Sequence, residues 1–327
     1  MLTRKLGQTD LNLTVIGFGA WAIGGGDYKF GWGPQDDEDS IKSIHEALDA
    51  GVNWIDTAPI YGLGRSEQVV GKALKGIRHE VILATKCGIV WDANRTVSRH
   101  LKADSIRREV ELSLGRLQTD YIDLYQMHWP EPDEIIEEAW EAMVKLVDEG
   151  KVRYIAVCNF NVEQLRRIGA IQPAASLQPP YNMLRREIEE DILPYCQESK
   201  LGVVAYSPMQ NGLLTGKFTL ERIQNLPDDD FRKTLSEQFQ SPQLDVNLKV
   251  VEGLRPIAQR LDHTLAQLAL AWVLRRPEVT SAITGARKPG QIKETAMAAG
   301  WVLDEWTVQQ IEALLNKRDK VLAEANA

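Results

Sequence analysis

The chain has 327 residues, 44% apolar and 26% charged, an ordinary composition for a protein able to bury a large core. Its 38 basic and 46 acidic side chains give a net charge of −8 without any basic block, which argues against nucleic acid or an anionic membrane surface as the main partner. Three scattered cysteines, Cys87, Cys158 and Cys196, make neither a disulfide framework nor a CxxC metal pair, so a reducing cytoplasm is the expected setting.

Residues 1–13 hold two short β-like pieces around GQTD, expected to pair as a hairpin capping the bottom of a barrel. The run TVIGFGAWAIGGG is broken by glycines and reads as a strand and loop, not as a signal peptide. No run approaches the about 18 apolar residues that span a bilayer. From there, apolar β-rich runs alternate with helical patterns. Strands are predicted at 14–19, 53–57, 81–85, 121–127, 153–158, 174–178, 202–206 and 280–284. Helices are predicted at 37–50, 66–75, 104–117, 133–149, 161–169, 187–199, 264–275 and 289–299. Asn161 with Gln164 three residues on signals a helix start, and Gly150 a helix stop. Residues 213–246, with Pro227, Pro242 and three consecutive aspartates, read as a long functional loop, and 304–325 as an added C-terminal helix. Nothing resembles a linker or repeat, so a single domain over 1–327 is expected.

Eight β/α units favour closure into a single (β/α)8 TIM barrel with an N-terminal β-hairpin cap and extra C-terminal helices. The doubly wound alternative carries GxGxxG after its first strand. Here GFGAWAIGGG has the wrong spacing and opens no helix.

Barrel active sites are built at the C-terminal strand ends. Strand 2 ends in Asp56, with Tyr61 in the turn beyond. Strand 3 ends in Lys86, strand 4 in His128, strand 5 in Asn159, strand 6 in Gln178, and strand 7 in Tyr206 and Ser207. Strands 2, 3 and 4 are neighbours, so Asp56, Tyr61, Lys86 and His128 should converge. A phenol has a reference pKa near 10, and a nearby cation lowers it. Lys86 is that cation, Asp56 its counter-ion, and His128 a donor that orients a substrate oxygen. Together they can protonate an oxygen gaining negative charge, such as a carbonyl under hydride attack. Taken singly, each has a structural reading: a capping Asp, a packed Tyr, a solvated Lys, a rim His. Those readings weaken when all four fall at adjacent strand ends.

The ordered set DTAPIYG, ATK, QMHWP, NFN, QPPYN and YSP…GLLTGK resembles the aldo-keto reductase superfamily over nearly the whole chain. It is most similar to the bacterial branch that includes stress-associated reductases, and more distantly to potassium-channel β-subunits. The resemblance implies NADPH binding without a Rossmann domain and reversible reduction of aldehydes and some ketones, with Tyr61 as general acid. It places Asn159 and Gln178 on the nicotinamide carboxamide, with Tyr206 stacked on the ring. Ser207, Pro208, Leu213, Gly216 and Lys217 follow along the pyrophosphate. Arg232 is expected in a loop closing over the cofactor, and Gly285, Arg287, Gln291, Glu294 and Thr295 around the adenosine half. Ala20, where threonine is common, Trp21 and Asp56 are expected on the cofactor too. A helix near Pro289 would offer amide N–H groups to a phosphate, and Arg287 with Lys288 would suit a 2′-phosphate, favouring NADPH over NADH. Trp21, Trp91 and Trp129, together with Tyr61 and His128, are expected around the substrate, with Trp32 also in a top loop. Cys158 stands where serine often precedes the asparagine, and we read it as an inert small side chain.

Other functions keep part of this pattern. A Schiff-base aldolase could use Lys86, but Tyr61 and Asp56 do not fit one. A metal-dependent hydrolase would need several strand-end histidines, and His128 stands alone. An NADP(H)-binding sensor or regulatory subunit would keep the same residues. No metal is expected, and the partner is a small carbonyl compound bound by a monomer or weak oligomer.

Overall fold

The computed structural model describes residues 1–26 and 28–325; Asp27 and the last two residues of the expected 1–327 unit lie outside the described residues. Strands β1 (Thr3–Lys5) and β2 (Asn12–Thr14) pair antiparallel, Thr3 opposite Thr14. Strands β3 (Ile16–Gly19), β4 (Trp54–Asp56) and β5 (Ile82–Cys87) follow. A second hairpin, β6 (Ile89–Trp91) with β7 (Val97–Arg99), leaves the end of β5. The chain returns through β8 (Ile122–Met127), β9 (Val152–Cys158), β10 (Ser176–Gln178), β11 (Gly202–Ala205) and β12 (Val279–Gly285). β3, β4, β5 and β8 to β12 close in that order into a parallel barrel of eight strands, with helices packed around it. Each predicted strand overlaps one of these.

Side chains alternate along a strand with period two, so residues i and i+2 share a face. Trp54 and Asp56 therefore stack inside the barrel, as do Ala84 and Lys86, Leu124 and Gln126, and Ala156 and Cys158. The lower residue of each pair belongs to one apolar cluster with Leu6, Leu11, Leu13 and Val204. Leu6, Leu11 and Leu13 come from the first hairpin or its turn, which plugs the bottom as expected. Trp54 fills the floor because Gly17 leaves room for it: a Cβ on Gly17 would lie 2.1 Å from the indole. The indole N–H donates to Thr14 O and Ser281 Oγ, both at 3.1 Å, so this buried donor is satisfied.

The outer helices bury one stripe each. In Ile136–Asp148, Ile136, Ala139, Trp140, Met143 and Leu146 recur at helical spacing and are buried. Asn161 forms the predicted capping box with Gln164.

The 213–246 segment is not a structureless loop. It contains 3-10 turns at Gln210–Thr215 and Glu237–Phe239 and short helices at Leu220–Gln224 and Phe231–Thr234. Its end belongs to an unpredicted helix, Gln243–Arg260. The predicted 187–199 helix is a 3-10 turn, Glu187–Glu189, followed by Ile192–Glu198. The C-terminal helix, Glu305–Ala325, is present as expected.

Candidate active site

Asp56, Lys86, Tyr61 and His128 meet above the apolar floor. Lys86 is fully buried and spends all three ammonium hydrogens, on Asp56 Oδ2 at 2.6 Å, Thr57 O at 2.9 Å and Tyr61 Oη at 3.2 Å. The phenol oxygen accepts from Lys86, so its own hydrogen is left to point elsewhere. The turn that carries Tyr61 is clamped from outside. Gly62, at φ 67°, lies so close to Gly24 that a Cβ on it would sit 2.1 Å from Gly24 O. Thr57 Oγ1 and Ser66 Oγ are bonded at 2.9 Å across the same turn. The His128 ring stands edge-on to Tyr61, centroids 5.9 Å apart.

The expected lowering of the Tyr61 pKa is overturned. Burial raises it, and although Lys86 pulls the other way, burial wins and the phenol sits well above its ordinary value. Lys86 is held in its charged form: burial opposes the charge, and the Asp56 carboxylate beside it is the largest of the groups that offset this. His128 is pushed well below 6.5 by burial, then by Lys86 and Arg99, so the imidazole is neutral and has one donor and one acceptor nitrogen.

Asp56 Oδ1 accepts from two glutamines: Gln126 Nε2 at 3.0 Å and Gln178 Nε2 at 2.9 Å. Gln178 Nε2 also reaches Gln126 Oε1 at 3.0 Å, and the Cys158 thiol lies 3.6 Å from that same oxygen. Gln126 was not among the residues expected from sequence. Asn159 donates to His128 O at 3.0 Å and accepts from Tyr206 Oη at 3.0 Å.

These residues open onto a cavity of about 1250 Å³. Trp21, Asp56, Tyr61, His128, Trp129, Asn159, Gln178, Tyr206, Ser207 and Pro208 line it. So do Lys217, Arg232, Gly285, Arg287, Lys288, Gln291, Glu294 and Thr295. Lys86 lies behind Tyr61. Four further expected residues lie outside the lining. Ala20 is fully buried and pairs through its amide with Asp56 O. The Leu213 side chain is buried in the core. Gly216 caps its turn at φ 68°, with Leu265 2.4 Å from where a Cβ would stand. Trp91 lies on the second hairpin beside Arg116, whose guanidinium is 5.9 Å from its ring centroid.

Across the mouth, Phe231 packs on Trp21 and Trp32 at 4.6 and 4.9 Å, and Arg232 lies 4.6 Å over Trp32. Arg232 is held by Asp230, through Nε at 2.9 Å and Nη2 at 2.6 Å. Arg287 bridges to the opposite wall: its Nε donates to Gln35 Oε1 at 2.9 Å and its Nη2 to Pro34 O at 2.5 Å. The helix expected from Pro289 begins at Gln291, and the Gly290 amide already donates to Glu46 at 2.5 Å. Backbone donors there are therefore partly spent. Among the described residues no group of three or more His, Cys, Asp or Glu could hold a metal, and no helix is long and apolar enough to cross a membrane.

A family model described as the aldo/keto reductase family matches residues 15–316, and the chain belongs to that family. It is 44% identical over 314 residues to aldo-keto reductase YhdN of Bacillus subtilis (strain 168), covering 95% of this chain and 92% of the relative. It is 36% identical over 307 residues to an NADH-specific methylglyoxal reductase of Escherichia coli (strain K12), covering 90% and 92%. A solved glycerol dehydrogenase from Gluconobacter oxydans superimposes with a TM-score of 0.87 at 38% identity, covering 97% of this chain and 95% of that one. The family's members are oxidoreductases that act on small carbonyl compounds with nicotinamide cofactors.

Proposed function

We propose that the chain is an NADPH-dependent reductase of aldehydes and some ketones, with Tyr61 as the proton donor. The observation that carries this is the saturated Lys86. Its hydrogen bond to the Tyr61 oxygen turns the phenol hydrogen toward the cavity, and its charge, held by Asp56, stabilises the phenolate left after proton transfer. Burial keeps the phenol protonated across the neutral range, so the acid is loaded before substrate arrives. Neutral His128 donates its N–H to the substrate oxygen and fixes its angle, while Trp21 and Trp129 shape the apolar wall.

The lining fits a dinucleotide. The cavity exceeds the about 300–1000 Å³ common for small-molecule pockets. Amides and an aromatic ring, Asn159, Gln178 and Tyr206, suit a nicotinamide. Ser207, Pro208 and Lys217 suit the pyrophosphate beyond it. Gly285, Arg287, Lys288, Gln291, Glu294 and Thr295 suit the adenosine half, with Arg232 near the mouth. Bound there, a reduced nicotinamide supplies the hydride. We read NADPH over NADH because Arg287 spends Nε on Gln35 and Nη2 on Pro34 and Gly33, leaving Nη1 for a 2′-phosphate beside Lys288. All three cysteines are free and buried, in keeping with a reducing cytoplasm. A monomer or weak oligomer completes the reading.

The test follows oxidation of NADPH and NADH with a panel of short oxygenated aldehydes and ketones, for wild type, Tyr61→Phe and Arg287→Leu. Tyr61→Phe should bind cofactor normally and lose about 100- to 10,000-fold in kcat. Arg287→Leu should weaken NADPH selectively. Wild type that binds cofactor and reduces nothing on the panel sinks the reductase reading. Equal use of both cofactors by wild type sinks the preference alone.

A further inference from the structure

We propose that Gln126 is a positioning residue that sets both the proton donor and the amide face shown to the cofactor. This rests on the reductase reading above. A carboxylate only accepts hydrogen bonds. Asp56 Oδ1 therefore forces both neighbouring glutamines to turn their nitrogens toward it, at 3.0 Å from Gln126 and 2.9 Å from Gln178. With its nitrogen so placed, Gln126 presents Oε1 to the second hydrogen of Gln178, at 3.0 Å. Gln178 has then spent both amide hydrogens inside the barrel. Its carbonyl oxygen is the atom left over, and Gln178 lines the cavity. A nicotinamide carboxamide meeting Gln178 must therefore offer it N–H.

Gln126 thus acts in two directions. Toward Asp56 it occupies Oδ1, which leaves Oδ2 for the 2.6 Å bond to Lys86 and so for Tyr61. Toward Gln178 it takes up the second amide hydrogen, so that the amide already turned by Asp56 shows only its carbonyl oxygen to the cavity. It is fully buried and lines none of the cavity, so it acts through these partners and touches neither cofactor nor substrate. The Cys158 thiol belongs to the same set. Burial pushes its pKa up, so it stays protonated and can donate to Gln126 Oε1, the task a serine hydroxyl would share there. The charged and titratable groups against Gln126 are Asp56 on β4, Lys86 opposite it on β5, Cys158 on β9, and Cys87 on β5, whose thiol lies 3.6 Å from the Gln126 carbonyl.

The test uses Gln126→Leu and Gln126→Glu in the full chain, with kcat against pH, NADPH affinity by fluorescence titration, and thermal melting. Gln126→Leu keeps volume and loses every polar contact. We expect kcat to fall about tenfold to a hundredfold and NADPH to bind about threefold to tenfold more weakly. In Gln126→Glu the new carboxyl, while protonated, can still donate to Asp56 and accept from Gln178; once ionised, it repels Asp56. That variant should therefore match wild type at low pH and lose both kcat and NADPH affinity as pH rises, a step absent from wild type. The proposal is overturned if either folded variant keeps the wild-type pH profile and NADPH affinity, or if Gln126→Leu changes melting alone. Should Gln126→Leu fail to fold, the pH step in Gln126→Glu decides. NADPH titration needs no turnover, so it judges Gln126 even if wild type proves inactive. A normal wild-type rate with unaffected variants would overturn the role of Gln126 and leave the reductase reading standing.

Discussion

The barrel interior has two storeys built by the same strands, and they differ in nearly every physical respect. The lower, with Trp54, Ala84, Leu124 and Ala156, is apolar and sealed by Leu6 and Leu13 from the first hairpin. The upper, two residues further along each strand, holds Asp56, Lys86, Gln126 and Cys158, all buried and all polar or ionisable. Burying that set is costly unless every group finds a partner. Here the partners are mutual. The lower storey is apolar throughout, and the groups proposed to support Tyr61 all belong to the upper one.

Replacing single residues should break the contrast in a defined order. Lys86→Met strikes the upper storey hardest. It strands Asp56 without a counter-ion, should cost about 3–5 kcal/mol of stability, and should abolish turnover; melting and rate assays together check both. Trp54→Ala removes the floor. It should cost a similar about 3–5 kcal/mol, while the folded variant keeps its kcat. If Trp54→Ala cuts kcat at constant cofactor affinity, the storeys are not separable.

Glu109 tests a milder case behind the wall. Its carboxylate accepts from the Gly88 amide at 2.8 Å and Ser105 Oγ at 2.9 Å, and burial raises its pKa from 4.5 to about 7 despite these bonds. A carboxyl raised in the folded state binds more protons there than in the unfolded chain. Stability should therefore fall as pH rises from about 4.5 to about 7 and then level off, by up to about 3 kcal/mol from this group. Glu109→Gln should flatten that part of the melting curve against pH and leave kcat nearly unchanged.

Much of this was legible in the sequence. Apolar β-rich runs alternating with helical patterns marked all eight barrel strands, and reading the polar residue at the end of each found Asp56, Lys86, His128, Asn159 and Gln178. Gln126 was missed because it lies inside its strand, two residues before His128. Its signal was present: it holds the inward register of Leu124, and it pairs in the sheet with Lys86. The helix Gln243–Arg260 was hidden for another reason. Pro256 and Gly253 interrupt its pattern, yet Gly253 is where Leu314 of the C-terminal helix presses in, 3.0 Å from where a Cβ would stand. Such a residue is chosen by a neighbour far along the chain, which local propensity cannot show. The raised Tyr61 pKa was also beyond sequence. The cation was visible, but the depth of burial that outweighs it was not.

The saturation of Lys86 has a consequence for reagents that acylate amines. Such chemistry needs an uncharged nitrogen lone pair and a path to it. Lys86 has neither: its charge is reinforced by Asp56, its three hydrogens are occupied, and its side chain is closed off from solvent. Lysines at the surface should be modified first, and peptide mapping should find Lys86 untouched until the barrel itself comes apart.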